Sequence, residues 1–520
     1  MTEPGCGFLS CAPAEVFSPE RFATDEQLMV QSAEQFSVKE VMPLAARLDA
    51  QEEGLMPSLV RKAGELGFCG VDTAEQYGGL GQSKALATRI LEFLSLDASF
   101  SVTIGVTSGI SQLGLSLFGS EGLRRQYLPG LASGELIGAY ALSEPNSGTD
   151  ALGLTTRAER QGDTWVLDGT KMWISNARWA DTFLVMAKVG GEAVSAFMVE
   201  RGHPGVSISR EEHKLGLKGS STARLVLENA VIPGENLVHE VGKGHHVALN
   251  ALNIGRLKLA AMSIGPARAA IHAAARYAQD RRQFGQPIGD FGLVRKKFAD
   301  ALAWFFGVES AIYRTCHAVD LAFAGSNGTP EGNRAAAEEF AVECSACKVL
   351  ASEAEARIVD EMLQVFGGYG FTEEFPVARI YRDARVSRIY EGTNEINRAF
   401  IADRLRRRID QGRCPGDVAG DSFLSELAGK ALGLPTPHQA QLGALSDLLA
   451  LSFAEQSARV RAKALGGLAK LAYERFRDWA NQEGARAFQG VTGEPVQLPK
   501  ASSGHVDELA DAAYATLRPL

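Results

Sequence analysis

The segment RIYEGTNEINR, Arg388 to Arg398, sets one carboxylate apart. Glu391 follows the apolar-aromatic pair Ile389 and Tyr390 and immediately precedes the turn-like triplet Gly392-Thr393-Asn394. Solvated acids usually sit among polar neighbours on a helix face, whereas this one stands where the chain could bend to present it. Apolar neighbours desolvate a carboxylate and raise its pKa, the direction that suits proton transfer near neutral pH. A plainer reading competes: Thr393 or Asn394 caps a helix running EINRAFIADRLRRR, and Glu391 merely lies ahead of it.

Other chemistries find little support. No GxGxxG follows a strand-like run, so the dinucleotide fingerprint is absent. YGGLGQ and FGGYGF are not phosphate loops by spacing alone. The only adjacent histidine pair is His245-His246, there is no HExxH, and no metal site is expected. There is no GxSxG. Cys344 and Cys347 form a lone CxxC inside a helical run without further ligands, which reads as two core thiols on one helix face.

Several elements must position whatever chemistry exists. Residues 24–135 carry apolar residues at three- and four-residue spacing and read as helices. Residues 136–240 switch to strand patterns, with a hairpin expected at Asp168-Gly169 inside DTWVLDGTKMWISNA. Long helical runs fill residues 241–410 and suggest an antiparallel bundle. QGRCPGDVAGDS, after Asp410, reads as a linker, and residues 411–520 form a helical extension containing LSDLLALSFAEQSARVRAKALGGLAKLAYERFRDWANQ.

The 520 residues are enough for about three domains. Apolar content of 45% and charged content of 22% allow large cores. A net charge of -9 argues against a nucleic-acid partner. Seven scattered cysteines point to a reducing compartment rather than a disulfide framework. No apolar run approaches the ~20 residues of a membrane span, and the N-terminus reads neither as a secretory signal nor as a transit peptide. The expected location is cytoplasmic.

Six short segments occur in order: YALSEPNSGTD, KMWISNA, HKLGLKGSSTARL, DRRQFGQPI, QVFGGYGF and IYEGTNEINR. With these, residues 25–408 resemble the acyl-CoA dehydrogenase family, closest to its very-long-chain branch. The resemblance implies a mainly α fold with a central β-barrel domain between a helical N-domain and a four-helix bundle. It also implies FAD, held without a Rossmann fold, and α,β-dehydrogenation of an acyl-CoA thioester to the trans-2-enoyl-CoA in fatty-acid β-oxidation.

In that family the acid of YEGT removes the α-proton while the β-hydrogen leaves as hydride to flavin N5, a role that falls here on Glu391. An alternative family position for the base, immediately before the arginine of LNIGRLKLAA, holds Gly255 in this chain. The resemblance assigns Tyr140, Leu142 and Ser143 to the flavin ring, and Trp173, Ile174 and Ser175 to the family's W-I-T/S. Gly148 and Thr149 match a turn near cofactor and substrate. Arg281 and Phe284 match residues holding the FAD of a neighbouring subunit. Gln364, Gly367 and Gly368 match the loop that receives the adenosine-diphosphate part across that interface. Thr393 and Glu395 match the last flavin contacts; Thr149, Asn253, Arg256 and Gly392 match substrate-side positions.

Gly292 replaces a glutamine common in the family after FGxPI. That departure, LNIGR and the extension underlie the resemblance to the very-long-chain branch, in which the extension aids membrane association. Here the extension is nearly neutral, with 11 Lys and Arg against 12 Asp and Glu. Peripheral membrane contact competes with simple packing against the body, which the amphipathic pattern favours. The implied partners are acyl-CoA, an electron-transfer flavoprotein as acceptor, and a second copy in a homodimer. An acyl-CoA oxidase, or a dehydrogenase acting on a short, branched or carrier-protein-bound acyl thioester, is the alternative.

Overall fold

The computed structural model describes residues 5–9, 13–414, 422–436, 438–502 and 505–515. Most of the segment read as a linker, residues 415–421, lies outside the described residues. The chain divides into two compact units. One comprises Thr24–Lys258 with Ala322–Glu338; the other comprises Met1–Ala23, Leu259–Leu321 and Glu339–Leu520.

The first unit opens with helices between Thr24 and Ala132. Ser83, Asp97 and Ser120 cap three of them through their side chains. Ala98–Phe118 is a continuous 21-residue helical run, long and apolar enough to cross a membrane by length and composition. This corrects the expectation that no run approaches a span. The interspersed Ser, Thr and Gly of ASFSVTIGVTSGISQLGLSLF hid it. The run is 78% buried, the signature of a core helix.

Eight strands follow: β1 (Gly138–Ala141), β2 (Arg157–Gln161), β3 (Thr164–Ser175), β4 (Thr182–Val189), β5 (Ala193–Glu200), β6 (Val206–Ile208), β7 (Thr222–Pro233) and β8 (Leu237–Val238). The sheet order is β6-β7-β3-β2-β4-β5-β8, with β1 added parallel to β4. The expected barrel is therefore a sheet that does not close, because β6 and β8 remain its ends. The hairpin is also displaced. β3 runs straight through Asp168-Gly169, and the β2–β3 turn is Gly162-Asp163, with Gly162 at φ +60°. Gly169 instead marks a register shift against β7, where an added Cβ would lie 2.5 Å from Thr156 Oγ1.

Six long helices are labelled here in chain order: α1 (Gly244–Asp280), α2 (Gly292–Gly325), α3 (Ala341–Phe366), α4 (Asn394–Asp410), α5 (Gln439–Leu465) and α6 (Gly467–Thr492). In the second unit α4 packs on α3 and α5, and α6 packs on α5. The long run expected across the extension breaks at Gly466-Gly467, both at positive φ, so that α6 folds back on α5. The buried stripe Phe476, Ala480, Gly484 and Phe488 explains the amphipathic pattern of α6. Its Arg475 pairs with Asp300, as the packing reading expected. Cys344 and Cys347 are fully buried on α3, and the Cys347 thiol lies 3.3 Å from Thr315 Oγ1.

Candidate active site

Each unit presents its own cluster of the expected site residues. In the second unit, Glu391 adopts φ +56° and Gly392 φ +80°, so two successive left-handed residues kink the chain just before α4. A non-glycine residue in this region is uncommon and is held there only by its surroundings. The holding groups are visible. Lys348, fully buried on α3, donates to Gly392 O at 2.9 Å and to Asn394 Oδ1 at 2.7 Å. Asn397, also fully buried, donates to Gly392 O at 2.8 Å, Thr393 O at 3.1 Å and Glu391 O at 3.4 Å.

Thr393 caps α4, its hydroxyl accepting from Ile396 N at 3.3 Å. The expected cap therefore falls on Thr393, two residues after the left-handed Glu391. The Tyr390 hydroxyl is buried, and burial together with the carboxylates of Glu355, Glu391 and Asp383 pushes its pKa far up, keeping it neutral. Ile389 is half exposed. Glu395 is exposed in the first turn of α4, its pKa lowered by its own backbone N–H and the Thr393 hydroxyl.

The second unit also contains an open groove of about 490 Å³ lined by Arg281, Tyr277, Ile288, Gly367, Gly368 and Tyr369 among others. Arg281 and the Gly367-Gly368 loop, distant in sequence, meet here, with the Arg281 guanidinium 5.6 Å from the Tyr369 ring centre. Gly367 ends α3 at φ +59°, ψ −134°, and its N–H bonds Gln364 O. A Cβ on Gly368 would meet nothing within 4 Å. The chain's own packing does not require that glycine, which fits a cradle approached by something from outside. Phe284 (94% exposed) and Phe371 (91% exposed) are large apolar groups displayed to solvent in this unit.

In the first unit the register slips between Lys171 and Ile174, where β3 gains an extra residue against β7. Trp173 sits in this bulge at φ +57°, and its indole is 56% exposed. Bulges re-aim side chains in this way. Ser175 is half-buried, whereas Ile174 is 2% exposed and belongs to the sheet core. Its side chain faces the core because neighbouring strand residues face opposite sides. Leu142 is mostly buried, Tyr140 and Ser143 are partly accessible, and Gly148 and Thr149 are exposed. Met172 N donates to Ser143 O at 2.8 Å, joining the bulge to this loop. On α1, Asn253 and Arg256 are buried and joined, Nη1 to Oδ1, at 3.4 Å.

Sequence reasoning missed the groups that fix this loop. Glu144 and Lys171, 3% and 0% exposed, form an ion pair at 2.7 Å. Lys171 also donates to Leu142 O at 3.2 Å, while Glu144 accepts from the backbone and hydroxyls of Thr155 and Thr156. Burial opposes the charge on Glu144, but Lys171, Thr156 and Thr155 outweigh it and hold the carboxyl at about 2. Burial likewise pulls Lys171 down to about 8 against the support of Glu144. A signal existed: Lys171 stands at an inward-facing strand position, and Lys348 interrupts the small-apolar run CSACKVLAS. Among the described residues no cluster of three or more His, Cys, Asp or Glu could hold a metal.

Three family descriptions match successive parts of the chain. They are the acyl-CoA dehydrogenase N-terminal domain over residues 23–135, the middle domain over 139–230 and the C-terminal domain over 242–406. A probable acyl-CoA dehydrogenase of Bacillus subtilis is 42% identical over 433 residues, covering 82% of this chain and 73% of the relative. The short-chain-specific enzyme of Rattus norvegicus is 37% identical, covering 75% of this chain and 92% of its own. The human very-long-chain enzyme is 34% identical, covering 85% of this chain and 67% of its own. An acyl-CoA dehydrogenase from Bacillus anthracis, solved with FAD, matches 98% of this chain and 95% of its own, at 37% identity and a TM-score of 0.89.

Proposed function

Because this chain belongs to the acyl-CoA dehydrogenase family, we propose that it oxidises an acyl-CoA to the trans-2-enoyl-CoA with FAD, using Glu391 as the base. The observation that carries this reading is the backbone of the Glu391 loop. A carboxylate held at φ +56° by buried Lys348 and Asn397 is positioned at a conformational cost that a mere helix lead-in would not need.

FAD, when bound, accepts the β-hydride. The residues present fit it: the bulge displays the Trp173 indole, and the Gly367-Gly368 cradle is open beside Arg281. In the first unit Tyr140, Leu142, Ser143, Trp173 and Ser175 would hold the ring, with Gly148 and Thr149 close by and Ile174 contributing only backbone. Arg281, Phe284, Gln364, Gly367 and Gly368 would hold the FAD of a second copy, and the exposed Phe284 and Phe371 support a homodimer.

Glu391 takes the α-proton of the thioester on its carboxylate. Gly392, without a side chain, allows the substrate close to the loop. Tyr390, kept neutral, adds no second charge beside the base. Asn253 and Arg256 are the substrate-side groups, and Thr393 and Glu395 complete the flavin side. The acceptor of the electrons is an electron-transfer flavoprotein.

The substrate proposed is a long-chain acyl-CoA. Its support is the reach of the very-long-chain similarity into the extension, over 85% of the chain against 75% for the short-chain enzyme, although identity favours the latter. Anaerobic titration of the FAD-loaded protein with acyl-CoAs of graded length tests the whole reading. Bleaching of the flavin by long chains at the lowest concentrations is expected. Bleaching by short chains alone would overturn the chain-length assignment, and none by any acyl-CoA would overturn the function. Hydrogen peroxide released stoichiometrically in air, as fast as an artificial acceptor is reduced, would make the protein an oxidase. Arg281→Ala should weaken FAD retention with the fold intact; a monomer that keeps FAD normally after this change would refute the shared site.

A further inference from the structure

The N-terminal segment Gly5–Leu9 is anchored in the second unit by unusually specific contacts. Gly5 N donates to Glu339 Oε1 at 2.9 Å, Cys6 N donates to Glu343 Oε1, and Gln456 Nε2 donates to Phe8 O at 3.2 Å. The Phe8 ring packs 5.1 Å from that of Phe453, centre to centre. These contacts bring Cys6, fully buried, to the C-terminal end of α4. Arg408 Nη1 donates to Cys6 Sγ at 3.5 Å, and Cys414 Sγ lies 3.9 Å from Gly5 O, the carbonyl joined to Cys6 N. Each thiol shifts the titration of the other, in keeping with two side chains set side by side.

The surroundings make the two sulfurs unequal. Cys414 is lowered by the hydrogen bond from Cys6 and by Arg408, whereas Cys6 is raised by its bond to Cys414, its burial and Glu343. Cys414 is 8% exposed, while Cys69, Cys316, Cys344 and Cys347 are each at 1% or less. A thiol lowered from its usual range, with a sliver of access and a second thiol beside it, has the requirements of an oxidisable pair. Arg408 beside the sulfurs disfavours a bound cation as an alternative use.

We propose that Cys6 and Cys414 are a dithiol that a hydroperoxide converts to a disulfide, fastening the N-terminal segment to the chain just beyond α4. The Cys414 thiolate attacks the peroxide; an S–O bond forms as the O–O bond breaks, and the departing oxygen leaves as water or an alcohol after taking a proton. Cys6 then attacks the sulfenic sulfur. The S–S bond forms, the S–O bond breaks, and the Cys6 proton leaves with hydroxide as a second water. Two thiols lose two electrons, and the peroxide gains them.

The test uses the FAD-loaded full chain, reduced, freed of reductant, exposed to hydrogen peroxide and quenched with N-ethylmaleimide. Non-reducing peptide mapping should find Cys6 joined to Cys414 before the four core cysteines lose their alkylation, with full reversal by dithiothreitol. Cys6→Ser should abolish that peptide and raise dimedone labelling of Cys414 several-fold. Both thiols remaining fully alkylated, or Cys414 joined to Cys11 or carried to the sulfinic acid without a crosslink, would overturn the proposal. The mapping of the unsubstituted protein decides even if the variant fails to fold.

Discussion

The loop around Glu391 and the bulge around Trp173 use the same device in different units. Each presents a side chain with a proposed role from a non-glycine residue near φ +56°, and each has its neighbouring backbone held by one fully buried lysine. They differ in what the lysine binds. Lys171 is paired with the carboxylate of Glu144, whereas the bonds from Lys348 go to the Gly392 carbonyl and the Asn394 amide oxygen. A buried ion pair fails badly when halved, because the surviving charge is left in a low dielectric. Lys348 fixes loop geometry through these two oxygens, and its charge also lowers the nearby Glu395, which is exposed, so less stability is at stake. The proposed flavin side should therefore fail by losing stability, and the proposed base side by losing rate.

The largest effect is expected at the proposed base. Glu391→Gln should slow flavin reduction by substrate about 10²–10⁴-fold in stopped-flow measurements. FAD content should be unchanged. Normal reduction with a melting temperature lowered as for a lost cap would make Glu391 structural. Lys171→Met comes next: leaving Glu144 buried without its cation should cost about 3–5 kcal/mol in denaturant unfolding. Adding Glu144→Gln should recover part of that loss. Equal destabilisation by Lys348→Met would erase the contrast between the two sites.

Lys348→Met should instead lower the flavin-reduction rate by about 10²-fold, since shifts near 1 Å at a reacting group have effects of that order. Unfolding should move by only about 1–3 kcal/mol, the cost of buried acceptors losing a donor. pH separates the two sites more gently. Glu144 is held at about 2 in the folded chain against 4.5 when free. Its contribution is therefore fully present above 4.5 and disappears as pH falls toward 2. Unfolding at pH 5.5 and pH 3.5 should show a larger acid loss for the parent protein than for Glu144→Gln; equal losses would mean the pair does not set this dependence. The smallest stability change is expected for Gly368→Ala, where nothing within 4 Å meets the added methyl. The melting temperature should hold while FAD retention falls, and unchanged retention would remove Gly368 from the cofactor cradle.

The sequence by itself determined the family, the order of helical and strand segments and the carboxylate to test. Those properties rest on local patterns: apolar periodicity, and short segments whose spacing survives without knowledge of packing. It also narrowed the cap to Thr393 or Asn394, since such a bond spans three residues; the folded chain uses Thr393. What tertiary structure decided depends on partners far away in the chain. Asp168-Gly169 has the composition of a turn, but pairing with β7 and the approach of Thr156 made it a register shift inside one strand. Ile174 shares a motif with Trp173 and Ser175, yet strand alternation sent it to the core. Lys171 and Lys348 acquire partners only in the fold, which brings Leu142 and Glu144 to one and Gly392 and Asn394 to the other. A buried lysine acquires its role only from the oxygens that the fold places around it, and those oxygens lie 27 to 46 residues away along the chain.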